Sequence, residues 1–98
     1  MDGSYKLLRW RRRAGDHVAP GDVICDIQSG DTEIEIQAEH YGILQPLVAS
    51  GYRGKFGDII GTIDNQIDDS IYEIAVSNAA PKGLRRWFAP LLRRFRKG

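Results

Sequence analysis

Between residues 5 and 76 the apolar positions fall in short runs of β-branched and aromatic residues, and none of these runs keeps a helical period. Residues 5–10, 23–27, 33–38, 43–48, 59–63 and 71–76 each predict a strand. The clearest is Glu33-Ile34-Glu35-Ile36-Gln37-Ala38, where polar and apolar residues alternate with the period of two that a half-buried strand requires. Gly, Asp, Asn or Pro separate the runs, and these are the residues that tight turns use. The economical expectation is an all-β domain.

The pattern also repeats. Ala14-Gly15-Asp16-His17-Val18-Ala19-Pro20-Gly21-Asp22-Val23-Ile24-Cys25-Asp26-Ile27 returns 36 positions later as Ser50-Gly51-Tyr52-Arg53-Gly54-Lys55-Phe56-Gly57-Asp58-Ile59-Ile60-Gly61-Thr62-Ile63. Each copy is a glycine turn, a spacer, a Gly-Asp turn and an apolar strand. Two copies imply two related halves that bury their apolar faces against each other, since a solenoid needs at least about three repeats. Residues 64–70 read as a polar, acidic connector and residues 77–81 as a small-residue linker.

Beyond that linker the period changes. Leu84, Trp87, Phe88, Leu91, Leu92 and Phe95 lie on one face of a helix, with Arg85, Arg86, Arg93, Arg94, Arg96 and Lys97 around the rest. Pro90 interrupts the ladder and predicts a kink. The expected organisation is thus a β-domain over 1–76, a linker over 77–81 and a basic amphipathic helix over 82–98.

Charge sharpens this division. The formal net charge of +1 hides an acidic part and a basic one. Residues 1–81 carry seven Lys and Arg against all thirteen Asp and Glu, net −6, while residues 82–98 carry seven Lys and Arg and no acid, net +7. Arginines beside leucine and aromatic anchors suit an anionic membrane surface or the groove of a larger protein complex. Nucleic acid is not expected, because phosphate binding has no use for six large apolar side chains.

The ordered series Trp10, Gly15-Asp16-x-Val18-x-x-Gly21-Asp22-Val23-Ile24, Asp26-Ile27, Glu35-Ile36-Gln37-Ala38, Gly42-Ile43-Leu44, Val48, Gly51, Gly57 and Ile63 resembles the biotinyl/lipoyl attachment domains. These are the swinging-arm carriers of 2-oxo acid dehydrogenase complexes and biotin carboxylases. The resemblance runs without a gap over residues 5–63. It implies a flattened barrel, a sandwich of two four-stranded sheets with quasi-twofold symmetry, in agreement with the 36-residue repeat.

In that family the prosthetic group hangs from a lysine at the tip of the central hairpin, within Glu-Thr-Asp-Lys-Ala or Glu-Ala-Met-Lys-Met. The matching residues here are Gln28-Ser29-Gly30-Asp31-Thr32, which puts Asp31 at the position of the modified lysine. A carboxylate cannot form the amide, and the lysines are Lys6, Lys55, Lys82 and Lys97, none of them on this hairpin. No bound cofactor is therefore expected. The hairpin turn reads first as structure, with Gly supplying positive φ; as a functional element, Asp31 is an anionic contact offered to a partner.

Other chemistry finds no support in the sequence. His17 and His40 lack further ligands at metal-binding spacing, and Asp64, Asp68 and Asp69 do not follow the order of a calcium loop. No nucleophile with its base, phosphate loop or dinucleotide motif is present, so catalysis is not expected. Cys25, the single cysteine, reads as a small core residue. No run reaches the ~20 apolar residues of a spanning helix, and the first residues hold no secretory signal. The expected location is cytoplasmic, with a peripheral place on a membrane as the option that residues 82–98 leave open. The expectation is a non-catalytic lipoyl-like interaction or scaffold module, attached through residues 82–98 to a membrane surface or a larger complex. The alternative is a swinging-arm carrier of an acyl-transfer or carboxylase complex, or an unmodified regulatory mimic of one.

Overall fold

A computed structural model describes residues 4–76, with the backbone of residues 86–88 and 91–96. Eight strands form within 4–76: β1 (Ser4–Trp10), β2 (His17–Val18), β3 (Val23–Ser29), β4 (Thr32–Gln37), β5 (Gly42–Pro46), β6 (Arg53–Lys55), β7 (Ile59–Asn65) and β8 (Ser70–Ala75). Two more follow, β9 (Arg86–Phe88) and β10 (Leu91–Arg96). They build two sheets, ordered β6-β1-β3-β4-β9 and β10-β8-β7-β5-β2. Without β9 and β10 each sheet is a four-stranded antiparallel layer.

The repeat explains the sheet order. A shift of 36 residues carries β3 onto β7 and β2 onto the start of β6, and exchanging β1, β2, β3 and β4 for β5, β6, β7 and β8 turns one sheet into the other. The turns match in detail. Gly15 and Gly51 have φ of 90° and 93°, and Gly21 and Gly57 have φ of 94° and 99°. Arg11 N–H donates to Ile24 O at 2.8 Å, and Leu47 N–H to Ile60 O at 2.9 Å. The symmetry slips at the hairpins, where the β3–β4 turn has two residues and the β7–β8 turn four.

The core lies between the two sheets. Leu7, Ile24, Ile27, Ile36, Leu44, Ile60, Ile63, Ile74 and Val76 are fully buried, with Ile24 and Ile27 repeated as Ile60 and Ile63. β-Branched side chains pack well on a pleated surface, which is why an isoleucine-rich pattern makes this core as strands. Trp10 ties the halves together by donating its indole N–H to Val48 O at 2.8 Å. Cys25 is a free, buried thiol in this core, as the sequence suggests, and burial, with Asp26 beside it, raises its pKa to about 12.

Residues 71–76 largely become β8, paired with β7 inside the barrel. The sequence pattern does not reveal β2 and β6, which are two and three residues long. The larger correction concerns the C-terminal helix. Where that segment is described it is extended: β9 runs parallel to β4, with Glu35 opposite Arg86, and β10 runs antiparallel to β8, with Glu73 opposite Arg93. Two physical reasons favour strands. Pro90 removes a helical hydrogen bond and disfavours helix at the residue before it, leaving two pieces too short to be stable helices alone. The outer edges of β4 and β8 meanwhile offer each piece a full set of backbone partners. Residues 77–81, the expected linker, lie outside the described residues, as do Leu84, Arg85 and Lys97 of the expected helix.

Candidate functional site: the β3–β4 hairpin and its flank

The β3–β4 ladder runs from Val23–Gln37 to Ser29–Thr32, so only Gly30 and Asp31 connect the strands. Gly30 has φ 61° while Asp31 is not in the left-handed region, the pattern of a two-residue turn with glycine at its first central position. Gln28 fastens the turn by donating its side-chain N–H to Gly30 O at 3.2 Å. Gly30, Asp31 and Thr32 are exposed, so the Asp31 carboxylate is displayed at the tip of the hairpin.

Below the tip, the outer face of the hairpin is held by charge. Asp26 is 2% exposed, and its Oδ2 accepts from the Arg9 guanidinium and from Arg11 Nε at 2.6 Å. Arg11 also reaches Glu35 at 3.6 Å, and Arg9 reaches Glu33 at 4.0 Å. The Asp26 carboxylate raises the pKa of Arg11, chiefly through this hydrogen bond. The network staples β1 and the chain after it to β3 and β4, and so fixes the direction in which the hairpin projects.

Beside the tip lies a notch of about 440 Å³, lined by Ser4, Tyr5, Lys6, Gln28, Gly30 and Arg53. Lys6 pairs with Gln28 on one side and with Arg53 on the other. Sequence reasoning misses this cluster, because its members are 22 and 25 positions apart and meet only through strand register. The quasi-equivalent notch, about 380 Å³, lies beside the β7–β8 turn and has a different lining, with Tyr41, Ile43 and Ile67. Ile67 is 94% exposed, and its N–H is held by Asn65 Oδ1 at 2.9 Å. His17 lines this second notch, whereas His40 stacks on Tyr72 with centroids 3.7 Å apart. Among the described residues no group of His, Cys, Asp or Glu is placed to hold a metal ion, and no helix is long and apolar enough to cross a membrane.

The family model described as "Biotin-requiring enzyme" matches residues 2–63. The chain belongs to this biotin/lipoyl family. Its relatives include the dihydrolipoyllysine-residue succinyltransferase component of the 2-oxoglutarate dehydrogenase complex of Bacillus subtilis, 31% identical over 65 residues. That match covers 65% of this chain and 16% of the relative. Component 3 of the mitochondrial pyruvate dehydrogenase acetyltransferase of Arabidopsis thaliana is 31% identical over 65 residues, covering 63% of this chain and 12% of that one. The acetyltransferase component of the Rickettsia felis pyruvate dehydrogenase complex is 40% identical over 42 residues, 43% of this chain and 10% of the other. The chain thus matches less than a fifth of the length of these relatives. No solved structure matches it.

The hairpin can be tested against the group that the biotin/lipoyl family implies. Attachment needs a tip amine. The tip offers the Asp31 carboxylate and the Ser29 and Thr32 hydroxyls, so the residues present do not fit an amide-linked lipoyl or biotinyl group. The lysine that the fold brings nearest in register is Lys6, on the neighbouring strand β1 opposite Gln28.

Proposed function

We propose that the chain is an unmodified lipoyl-like module that docks on a multienzyme complex of the acyl-transfer kind, presenting its hairpin as a carrier would but without a swinging arm. One observation carries the reading: a two-residue turn displays Asp31 at the position where the family's resemblance puts the acylated lysine. The relatives, all named as acyltransferase components of such complexes, support a complex of this kind as the partner.

A carrier in the strict sense is the second reading, favoured by the family match itself and by the position of Lys6. Intact-mass analysis separates the two, after expression with a lipoyl ligase plus lipoate and, in parallel, with a biotin ligase plus biotin. An unmodified mass in both supports the docking module. A mass gain of one lipoyl or biotinyl group, mapped to Lys6 or any other lysine, replaces it with the carrier.

A further inference from the structure

Register places Arg53 on β6, Lys6 on β1 and Gln28 on β3 in one row. Residues directly opposed on neighbouring strands share a face, with Cβ atoms about 4.5–5.5 Å apart, and two like charges so placed repel. Of the domain's other cations, Arg9, Arg11 and Arg12 lie within 4.0 Å of a carboxylate, while Arg13 and Lys55 show no such pairing among the described residues. Lys6 and Arg53 have no such partner among the described residues. This cationic pair sits on a part of the chain whose net charge is −6.

The fold does not require the pair. Thirty-six positions away, the quasi-equivalents of Lys6, Gln28 and Arg53 are Gly42, Asp64 and, in reverse order around the repeat, His17. The notch they border is built by the same strands of the other half and carries no Lys or Arg. Two opposed, unmatched cations are thus a local addition to an architecture that closes equally well without them.

We propose that the notch beside the hairpin tip docks an acidic surface of a protein partner, Lys6 and Arg53 each receiving a surface carboxylate. The proposal deepens the docking reading given above by naming the chemistry of the partner's surface, and it rests on that reading for the partner being an enzyme complex. A protein surface fits better than a free phosphate. The row lies on an open sheet face, and Gln28 has already committed a side-chain N–H to Gly30 O, so no ring of donors closes around a small anion. Complementary charge of this kind acts mainly on encounter rate and orientation, which suits a module that must bring its tip to one place on a large assembly.

The test is titration of the ¹⁵N-labelled full chain with a hexaglutamate peptide and, separately, with inorganic phosphate at matched ionic strength. The expected result is peptide-induced movement of the Lys6, Gln28 and Arg53 amides, with phosphate moving them far less. The double variant Lys6→Gln/Arg53→Gln should weaken the peptide roughly three- to tenfold, as loss of two exposed ion pairs implies. Lys6→Arg, which keeps the charge, should bind as the parent does, and Arg12→Gln, which removes a charge elsewhere, should leave the affinity unchanged. Movement confined to residues 82–98, equal movement by phosphate, or indifference to the double variant overturns the proposal. The mass experiment reads a different property, so an acylated lysine would remove the docking-module reading without deciding this titration.

Discussion

Arg11 donates its Nε–H to Asp26 at 2.6 Å, joining the chain after β1 to the middle of the hairpin that carries the candidate site. The arrangement is asymmetric. Asp26 is buried, the Arg11 and Arg9 side chains are about half exposed, and Asp26 Oδ1 is buried without a hydrogen-bond partner. A buried carboxylate held by charged donors on one oxygen depends strongly on those donors.

Asp26→Asn keeps the shape and removes the charge. It should destabilise the fold by about 1.5–3 kcal/mol, the worth of hydrogen bonds to a charged group. Urea denaturation checks this, and a midpoint unchanged from the parent would show that the two arginines contribute nothing net.

Asp31→Lys puts an amine at the tip of the two-residue turn. Co-expressed with a lipoyl ligase and lipoate, it should gain one lipoyl group by intact mass while the parent gains none. A D31K protein that stays unmodified would mean that Gln28, Ser29 and Thr32 around the new lysine do not present it as a carrier hairpin does.

Cys25 should be silent to thiol reagents in the native state and react at the rate of global unfolding. Its folded pKa of about 12 stands above the ordinary value of 9.0, so the unfolded chain loses its proton first as pH rises. Between those values the native state binds more protons than the unfolded one, and stability falls with increasing pH. The slope reaches at most about 1.4 kcal/mol per pH unit for one group. Tyr5, raised by burial and by Tyr52 and Asp58, acts in the same direction above 10.0. Stability curves at pH 8 to 11 should therefore decline, less steeply for Cys25→Ala; parallel curves for parent and variant would remove Cys25 as a cause.

Truncation after residue 76 uncovers the edges of β4 and β8, which β9 and β10 otherwise pair. Bare strand edges recruit other strands. The truncated protein should self-associate as concentration rises where the full chain does not, measured by light scattering on a sizing column. A truncated protein that stays monomeric would show that these two edges need no cover.

The two-layer fold is legible in the sequence because its cause is local and repeated. The Gly-Asp turns and the isoleucine positions recur at a fixed spacing, and pairing two such halves is the way to bury both apolar faces. Asp31 is legible too, since the ungapped flanks fix its place in the hairpin. The dicationic notch is not, because Lys6, Gln28 and Arg53 are gathered by register, which the one-residue irregularity in β1 helps to set. The C-terminal segment misleads for a different reason. Leu84, Trp87, Phe88, Leu91, Leu92 and Phe95 satisfy a helical period, but the period says nothing of the two vacant strand edges waiting elsewhere in the fold.

The duplicated Gly-Asp turn gives the molecule a built-in control. Asp22 accepts Ala19 N–H at 2.9 Å, and Asp58 accepts Lys55 N–H at 2.9 Å. Only Asp58 also accepts a tyrosine hydroxyl, from Tyr52 at 3.0 Å, and these bonds lower its pKa, the backbone one most. Its stabilisation is present above pH 3.8 and lost as pH falls through the lower folded value. Asp22→Asn and Asp58→Asn therefore probe the same backbone turn twice within one chain, and the difference in their acid sensitivity compares a phenol at Asp58 with the Arg12 ion pair at Asp22, 3.9 Å away.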